Sequence, residues 1–272
     1  MEDIFNEIVH IRQEGDIAAL ATVVSVKGST PRTEGTKMLI RRDGSILGSV
    51  GGGCLEAEVW QAAMKVIEEE SPKAIDFDLD ITNEKETALG LICGGTMQIF
   101  IEPILPDPTV YLFGAGHIGF AVSKIAKITG FRVAVIDDRP AYANAERFPD
   151  ADEFYVEDGA MILPKLKINK SSYMVIACSS HLEDQRVLAE AIKTSASYIG
   201  MIGSRKKSKA VFSNLNAEGV NQESLSRIHT PIGLPIATET PEEIAVSIMA
   251  EIIDVRRQKV KSPAKESKTI KY

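Results

Sequence analysis

Two glycine turns in the first half of the sequence each carry a cysteine, and each could hold an anionic ligand near a thiol. Residues 51–53 are three consecutive glycines followed by Cys54, and the apolar spacing of residues 54–70 predicts a helix directly after them. Glycines before a helix N-terminus leave backbone N–H groups open to an anion, so Gly52, Gly53 and Cys54 are predicted ligand contacts. The turn is not a P-loop, because the Gly-Lys-Ser/Thr ending is missing. A tight crossover from strand to helix would need the same glycines.

The second of these turns is Cys93-Gly94-Gly95. Its two glycines leave the thiol of Cys93 uncrowded and surround it with backbone N–H donors, which would favour a thiolate. We therefore predict Cys93, Gly94 and Gly95 as ligand contacts. A small residue packed in a buried turn is the alternative interpretation.

A third glycine turn lies in the second half of the sequence. Gly114, Gly116 and Gly119 fit the pattern G-x-G-x-x-G, and they join a predicted strand at residues 110–113 to a predicted helix. The first glycine allows a tight turn, the second allows a phosphate to approach the backbone, and the third allows helix and strand to pack closely. We predict these glycines, and His117 among them, as nucleotide contacts.

A second predicted strand, at residues 132–136, ends in Asp137, which lies 18 residues past Gly119. A carboxylate at that position could accept hydrogen bonds from a ribose 2′-OH. The strands, turn, helix and acid together predict a Rossmann-type unit, with NAD(H) or another nucleotide as a possible ligand. An α/β unit with an empty or repurposed crevice would show the same pattern. The intervening helix is predicted to end before Gly130 and to place five apolar residues on one side: Ile118, Val122, Ile125, Ala126 and Ile128.

Polar residues follow a further predicted strand at residues 173–177. In open parallel sheets, ligands bind at the carboxyl ends of the strands, so His181 and Asp184 are predicted ligand contacts. A helix predicted at residues 185–194 comes next. Ser179 or Ser180 could instead cap the start of that helix.

A group of cations follows the next predicted strand, which begins at Tyr198. Gly203-Ser204-Arg205 and the two lysines after it could hold a phosphate or carboxylate of a ligand, so Ser204 and Arg205 are predicted contacts. A solvated basic face at the start of a helix, predicted at residues 206–214, is the alternative.

Two domains are predicted to position these turns. A helix at residues 1–14 precedes predicted strands at residues 17–26, 37–41, 45–49, 74–79 and 96–102. Prolines at 103, 106 and 108 indicate a linker. The prediction is a mixed α/β domain at residues 1–105 and a Rossmann-like, doubly wound parallel-sheet domain at residues 106–258. The lysine-rich tail at residues 259–272 is predicted to be disordered.

Composition narrows the functional class. The chain of 272 residues is 44% hydrophobic and 25% charged, as expected of a globular protein. A net charge of −7 argues against nucleic-acid binding as the main task, and the absence of a long apolar run predicts no membrane span. Three widely spaced cysteines predict no disulfide framework and favour the cytoplasm.

Several longer motifs give the sequence a resemblance to the XdhC/CoxI family, the accessory proteins of xanthine dehydrogenase and related molybdenum hydroxylases. These motifs cover nearly the whole chain except the lysine-rich tail. They are GSTPR at residues 28–32, GGGCLE at 51–56, CGG at 93–95, GAGHIG at 114–119, the segment 181–184, GMIGSR at 200–205, HTPIGL at 229–234 and TPEEIAVSIMAEI at 240–252.

The resemblance implies a protein that binds the molybdenum cofactor, a pterin dithiolene with a phosphate. Such a protein holds the cofactor while its terminal sulfur is installed and passes it to the apo-dehydrogenase. By resemblance, Cys93 contacts the molybdenum cofactor and its metal, Cys54 is a second contact, and Ser29 and Arg32 line a polar pocket around the same site. A cysteine desulfurase and the client dehydrogenase are the implied partners, and a homodimer is the implied assembly.

Two other functions stay open. The GAGHIG turn and Asp137 also suit an NAD(H)-dependent oxidoreductase, or a regulator whose Rossmann domain senses a nucleotide. Xanthine dehydrogenase itself is not predicted, because three cysteines cannot supply the iron–sulfur ligands which that enzyme needs.

Overall fold

A computed structural model describes residues 3–79 and 95–260. The chain divides into two compact units, Met1–Asp107 and Pro108–Tyr272. Two predicted cofactor contacts, Cys93 and Gly94, lie outside the described residues, as does the part of the predicted disordered tail from residue 261 onwards.

The first unit is built on a five-stranded antiparallel sheet with the order β3-β2-β1-β5-β4. The strands are β1 Ala18–Gly28, β2 Lys37–Arg41, β3 Ile46–Gly48, β4 Lys73–Asp78 and β5 Gly95–Ile104. Long strands β1 and β5 pair along most of their length, and the last pair of this register is Gly28 with Gly95. This pairing places the start of β5 beside the GSTPR segment that follows β1.

Two helices of the first unit cover opposite faces of its sheet. They are α1 Ile4–Gln13 and α2 Gly53–Glu69. Alternate residues of β1 point to opposite faces, so Ala19 and Ala21 join the core under α2, whereas Leu20 joins the core that contains Ile11 of α1. Both faces of the sheet are therefore buried in its middle.

The second unit is a six-stranded parallel sheet with the order β11-β10-β9-β6-β7-β8. Its strands are β6 Thr109–Phe113, β7 Arg132–Ile136, β8 Glu153–Tyr155, β9 Ser172–Ile176, β10 Tyr198–Met201 and β11 Ile228–His229. When β6 to β11 are renumbered 1 to 6, the order read from β8 is the Rossmann order 3-2-1-4-5-6. The direction of winding reverses between β6 and β9. The predicted fold class, a mixed α/β unit followed by a Rossmann-like parallel sheet, is confirmed.

Helices lie on both faces of this parallel sheet. They are α3 His117–Ile128, α4 Gly159–Ile162, α5 His181–Ala191, α6 Arg205–Ala217, α7 Gln222–Ser226 and α8 Pro241–Val260, with a short 3-10 turn at Leu163–Lys165. One core contains Val122 of α3 and Ile248 of α8. The other contains Leu188 of α5 and Leu215 of α6. None of the helices in the described part of the chain is long and apolar enough to cross a membrane.

The ends of three helices need comment. Helix α5 begins at His181, four residues before the predicted start, because Ser180 caps it and Glu183 completes a capping box. The prediction that Ile128 lies on the buried side of α3 is wrong: Ile128 is 84% exposed. A turn of about 100° per residue places Ile128 about 160° around the helix from the buried Ala126. Helix α8 begins with a capping box at Thr240: Glu243 N donates to Thr240 Oγ1 and Thr240 N donates to Glu243 Oε2, each across 3.3 Å.

Candidate functional site

The glycine turn before α2 has one crowded position and two open ones. A Cβ atom on Gly51 would lie 2.8 Å from Pro31 Cγ, so this glycine allows the turn to pack against the GSTPR segment. A Cβ atom on Gly52 or Gly53 would meet nothing within 4 Å. Gly52 is the N-cap of α2 and provides no side-chain cap. The backbone at the start of α2 is therefore accessible to a ligand. This accessibility is what the predicted anion site would require.

Side chains around this turn form a small polar cluster. Arg32 Nη2 donates to Ser49 Oγ across 3.3 Å, and Gly51 N donates to the same oxygen, also across 3.3 Å. Ser49 Oγ in turn donates to Glu56 Oε1 in the first turn of α2. These bonds hold the exposed Arg32 beside the glycine turn.

Gly95, the described residue of the second cysteine turn, lies against the same segment. A Cβ atom on Gly95 would lie 2.4 Å from Lys27 O and 2.8 Å from Ser29 O, so only glycine fits there. The GSTPR segment thus contacts Gly51 on one side and Gly95 on the other. From the predicted set, Gly95 contacts Ser29, and Arg32 is held through Ser49 beside the turn that carries Gly52, Gly53 and Cys54. Cys54 is a half-buried free thiol.

In the second unit, the three glycines of the Rossmann turn occupy three different environments. A Cβ atom on Gly114 would lie 2.1 Å from Ala177 O, and one on Gly119 would lie 2.3 Å from Gly114 O. Gly116, the N-cap of α3, has open space around the corresponding position. The first and third glycines are required by packing, and the second leaves room for a ligand. His117 follows it as an exposed residue.

Asp137, the predicted ribose acceptor, is paired within the protein. Its Oδ2 accepts from Ala115 N across 2.9 Å, and its Oδ1 accepts from Arg139 Nε across 2.7 Å. Burial raises the pKa of Asp137, but the bonds from Arg139 and Ala115 outweigh it and hold the pKa below its ordinary value. The Arg139 guanidinium also packs 3.8 Å from the centre of the Tyr142 ring. Asp137 therefore fastens the glycine turn to the loop after β7.

A cleft of about 410 Å³ opens at the point between β6 and β9 where the winding of the sheet reverses. This volume includes space that is open to solvent at the mouth of the cleft. Its lining carries four carboxylates, two guanidinium groups and one thiol, from Asp137, Asp138, Asp158, Glu183, Arg139, Arg186 and Cys178. Of these, only Asp137 is predicted from sequence as a site residue. Asp138 and Cys178 each come within two residues after a strand, which is the signal that could have found them.

The cleft thiol, Cys178, is protected from ionisation. Burial raises its pKa first, and the nearby Asp184 carboxylate raises it further. Cys178 N donates to Asp184 Oδ1 across 2.9 Å, and Cys178 Sγ lies 3.6 Å from Phe113 O. The Cys178 thiol therefore lines the cleft as an uncharged group.

The remaining predicted contacts do not meet at this cleft. Asp184 turns inward and is paired with Lys207, whereas His181 is exposed in the first turn of α5. Ser204 caps α6 by accepting from Lys207 N across 3.3 Å, and Arg205 follows it on the surface. None of the four is among the residues that line the cleft. Within residues 3–79 and 95–260, no group of three or more His, Cys, Asp or Glu is arranged to hold a metal ion.

The second unit is thus a Rossmann domain with a cleft at its switch point, and the first unit is an antiparallel sheet with a glycine turn before Cys54. The chain belongs to the XdhC and CoxI family: the XdhC Rossmann domain matches residues 110–252, and the XdhC and CoxI family pattern matches residues 11–78.

The chain is similar to three known proteins and to one solved structure. It is 33% identical over 255 residues to the uncharacterized protein YqeB of Escherichia coli, covering 93% of this chain but only 46% of YqeB. It is 25% identical to a Bacillus subtilis protein described as a probable xanthine dehydrogenase subunit, over 90% of this chain and 95% of that protein. It is 21% identical to the molybdenum cofactor insertion chaperone PaoD of Escherichia coli, over 91% and 86% of the two chains. A crystal structure from Bacillus halodurans, described as a xanthine dehydrogenase, shares the fold with a TM-score of 0.52, at 24% identity over 93% and 95% of the chains.

Proposed function

We propose that this chain is an accessory protein that binds the molybdenum cofactor and supports its insertion into xanthine dehydrogenase or a related molybdenum hydroxylase. Membership of the XdhC and CoxI family supports the proposal. So does the similarity to PaoD, whose name describes molybdenum cofactor insertion, and to the Bacillus subtilis protein, whose name refers to xanthine dehydrogenase.

The observation that carries the proposal is the open backbone at the start of α2. Gly52 and Gly53 have free space on the side where a side chain would point, and the helix N-terminus lacks a side-chain cap. Its first N–H groups and Arg32 suit the phosphate of the cofactor. Thiolates are soft ligands that suit the metal–sulfur end, and Cys54 lies one residue beyond the glycines. This donor set fits a phosphate-bearing metal dithiolene.

Cys93 is proposed as the principal contact with the molybdenum centre. Its position two residues before Gly95 connects it to the GSTPR segment, since Gly95 contacts Ser29. Bound there, the cofactor would bring the molybdenum–sulfur chemistry, and the chain's own residues would hold and shield it. We further propose that the bound cofactor receives its terminal sulfur from a cysteine desulfurase, and that the protein acts as a cytoplasmic homodimer. The oxidoreductase and nucleotide-sensor alternatives rest on the second unit and stay predictions.

Transfer to a client enzyme tests this function. Purified chain is loaded without oxygen with molybdenum cofactor that already carries its terminal sulfur, separated from free cofactor and mixed with cofactor-free xanthine dehydrogenase. We expect the loaded chain to restore more activity than the same amount of free cofactor. Equal restoration by the two would reject a role in insertion.

A further inference from the structure

The polar cluster beside the first glycine turn contains a cation and a carboxylate that do not pair directly. Arg32 Nη2 donates to Ser49 Oγ across 3.3 Å, and Ser49 Oγ donates to Glu56 Oε1. Among the residues that the structure describes, no acidic side chain forms an ion pair with Arg32. The Ser49 hydroxyl therefore lies between the two charged groups.

Every hydrogen-bonding position of the Ser49 hydroxyl is occupied. A serine hydroxyl has one proton to donate and two lone pairs that accept. Its proton is donated to Glu56, and its lone pairs accept from Arg32 Nη2 and from Gly51 N, each across 3.3 Å. The carboxylate thus fixes the direction of the proton and turns the lone pairs toward Arg32 and the glycine turn.

The backbone that carries Arg32 is fixed separately from its side chain. Thr30 Oγ1 donates to Arg32 O across 2.9 Å, and Pro31 packs against Gly51. The Arg32 side chain is exposed, and in the described ranges Ser49 is its one hydrogen-bond partner. A guanidinium has five N–H donors, so most of them stay available to a ligand. Ligand binding costs less entropy when such a long side chain is already held in place.

Glu56 would compete with a bound anion if its carboxylate reached Arg32. It is half-buried in the first turn of α2, where a negative charge is also attracted to the helix N-terminus. A carboxylate and a guanidinium in contact can form two parallel hydrogen bonds. Such a pair would occupy the donors that a phosphate needs. Because the Ser49 hydroxyl separates the two groups, the charge of Arg32 stays available.

We propose that Ser49 and Glu56 are positioning residues of the cofactor site, and that the Ser49 hydroxyl is a spacer. It holds Arg32 beside the glycine turn and prevents the direct pairing of Arg32 with Glu56. This inference rests on the proposed function, in which Arg32 contacts the phosphate of the cofactor. Neither Ser49 nor Glu56 is predicted from sequence as a site residue.

A set of substitutions distinguishes a spacer from a purely structural serine. Ser49→Ala should weaken capture of the molybdenum cofactor by about fivefold or more, because Glu56 can then pair with Arg32. Adding Glu56→Gln to Ser49→Ala should restore capture to within about twofold of wild type, since no carboxylate is left to pair. Ser49→Thr, which keeps the hydroxyl, should also stay within about twofold. The matched control adds Glu58→Gln, a change at an exposed acid of the same helix, and should stay as weak as Ser49→Ala alone.

The chemical reactivity of Arg32 tests the spacer without any cofactor. Phenylglyoxal modifies unpaired guanidinium groups, and mass spectrometry of the digested protein gives the rate at Arg32, with the exposed Arg205 of the second unit as reference. Ser49→Ala should slow modification of Arg32 by about threefold, as expected of a surface ion pair. Adding Glu56→Gln should restore the wild-type rate.

Equal capture losses in Ser49→Ala and in its combination with Glu56→Gln would make Ser49 a purely structural residue and overturn the proposal. Undiminished capture by Ser49→Ala, or an Arg32 rate that is the same in all variants, would overturn it as well. If the wild type captures no cofactor, the proposed function fails, whereas the Arg32 rates still decide whether Ser49 separates the two charges.

Discussion

Lys207 Nζ donates to Asp184 Oδ2 across 2.5 Å, and this ion pair joins the start of α6 to the first turn of α5. Asp184 is 1% exposed, and its other oxygen holds the backbone of Cys178 at the cleft wall. Lys207 Nζ also donates to Ile202 O across 3.0 Å. The pair therefore fixes the loops after β9 and β10 together.

Replacing Asp184 tests the importance of this ion pair. Asp184→Ala should lower the free energy of unfolding by about 2–3 kcal/mol, because it leaves Lys207 and the Cys178 N–H without their acceptor. This expected loss is below the range for a fully buried ion pair, because the Lys207 side chain is 25% exposed and can reach water. Urea denaturation followed by circular dichroism measures the change. The exposed control Asp150→Ala should stay within about 0.5 kcal/mol of wild type, and a similar result for Asp184→Ala would show that the pair is dispensable.

The neighbouring acids after β7 should respond differently to the same substitution. Asp137→Asn should cost about 1–3 kcal/mol, since an amide cannot satisfy both Arg139 and the Ala115 N–H. Asp138→Asn should change stability by less than about 0.5 kcal/mol, because that side chain is largely exposed. Thermal and urea unfolding of the two variants provide the comparison. Equal costs would contradict the structural role assigned to Asp137.

A carboxylate on α8 should contribute to the pH dependence of stability. Glu251 accepts from Tyr198 Oη across 2.5 Å and from Gly233 N across 2.9 Å, and His229 Nδ1 lies 3.1 Å from it. Burial raises the pKa of Glu251, but bonds from His229, Tyr198 and Gly233 outweigh it, so the pKa is lower than in the unfolded chain.

Because the folded state lowers this pKa, the stabilisation by Glu251 is present above the unfolded pKa of about 4.3 and is lost as the pH falls through the lower folded pKa. Glu251→Gln should cost about 1–2 kcal/mol at pH 7. The difference from wild type should shrink below about pH 4.3, as measured by urea denaturation from pH 7 to pH 3.5. The exposed Glu146→Gln serves as control. A difference that stays constant with pH would refute the assignment.

A substitution at the start of α2 separates backbone strain from ligand contact. Gly52→Ala should reduce capture of the molybdenum cofactor by at least about tenfold, because the new Cβ atom would lie in the open space that the ligand needs. The Gly52 backbone, at φ 81° and ψ 173°, lies in a region that is essentially confined to glycine, so alanine also adds strain of about 1–3 kcal/mol. Gly219→Ala is the matched control, since φ is 92° there and nothing lies within 4 Å of the added atom. Equal capture by both variants would remove Gly52 from the site.

The sequence predicts best where the relevant contacts are local. The strand at 132–136 has the same ends in the structure, and Gly130 follows α3 with a φ of 80°. The prediction for Ile128 did not follow helical spacing, because about 100° per residue places Ile128 on the side of α3 opposite to Ala126. The earlier start of α5 depends on a bond between Ser180 and Glu183, and it agrees with the alternative interpretation of the sequence in which Ser180 caps the helix.

Contacts between distant residues could not be predicted in this way. The pairing of Lys207 with Asp184 joins residues 23 positions apart and depends on the order of β9 and β10. The pairing of Asp137 with Arg139 is near in sequence, yet the motif predicts a free acid there. Asp158 and Arg186 reach one cleft only because α4 and α5 pack on the same face of the sheet.

Anaerobic titration of the full chain with molybdenum cofactor tests the central proposal most directly. Bound cofactor is separated at equilibrium and measured by pterin fluorescence, with quenching of Trp60, the single tryptophan, as a second signal from α2. We predict stoichiometric capture by the wild type, its loss in Cys93→Ala, and its retention in Cys178→Ala, which removes a thiol from the other unit. Absence of capture by the wild type, or full capture by Cys93→Ala, would contradict a cofactor site built on the thiols and glycines of the first unit.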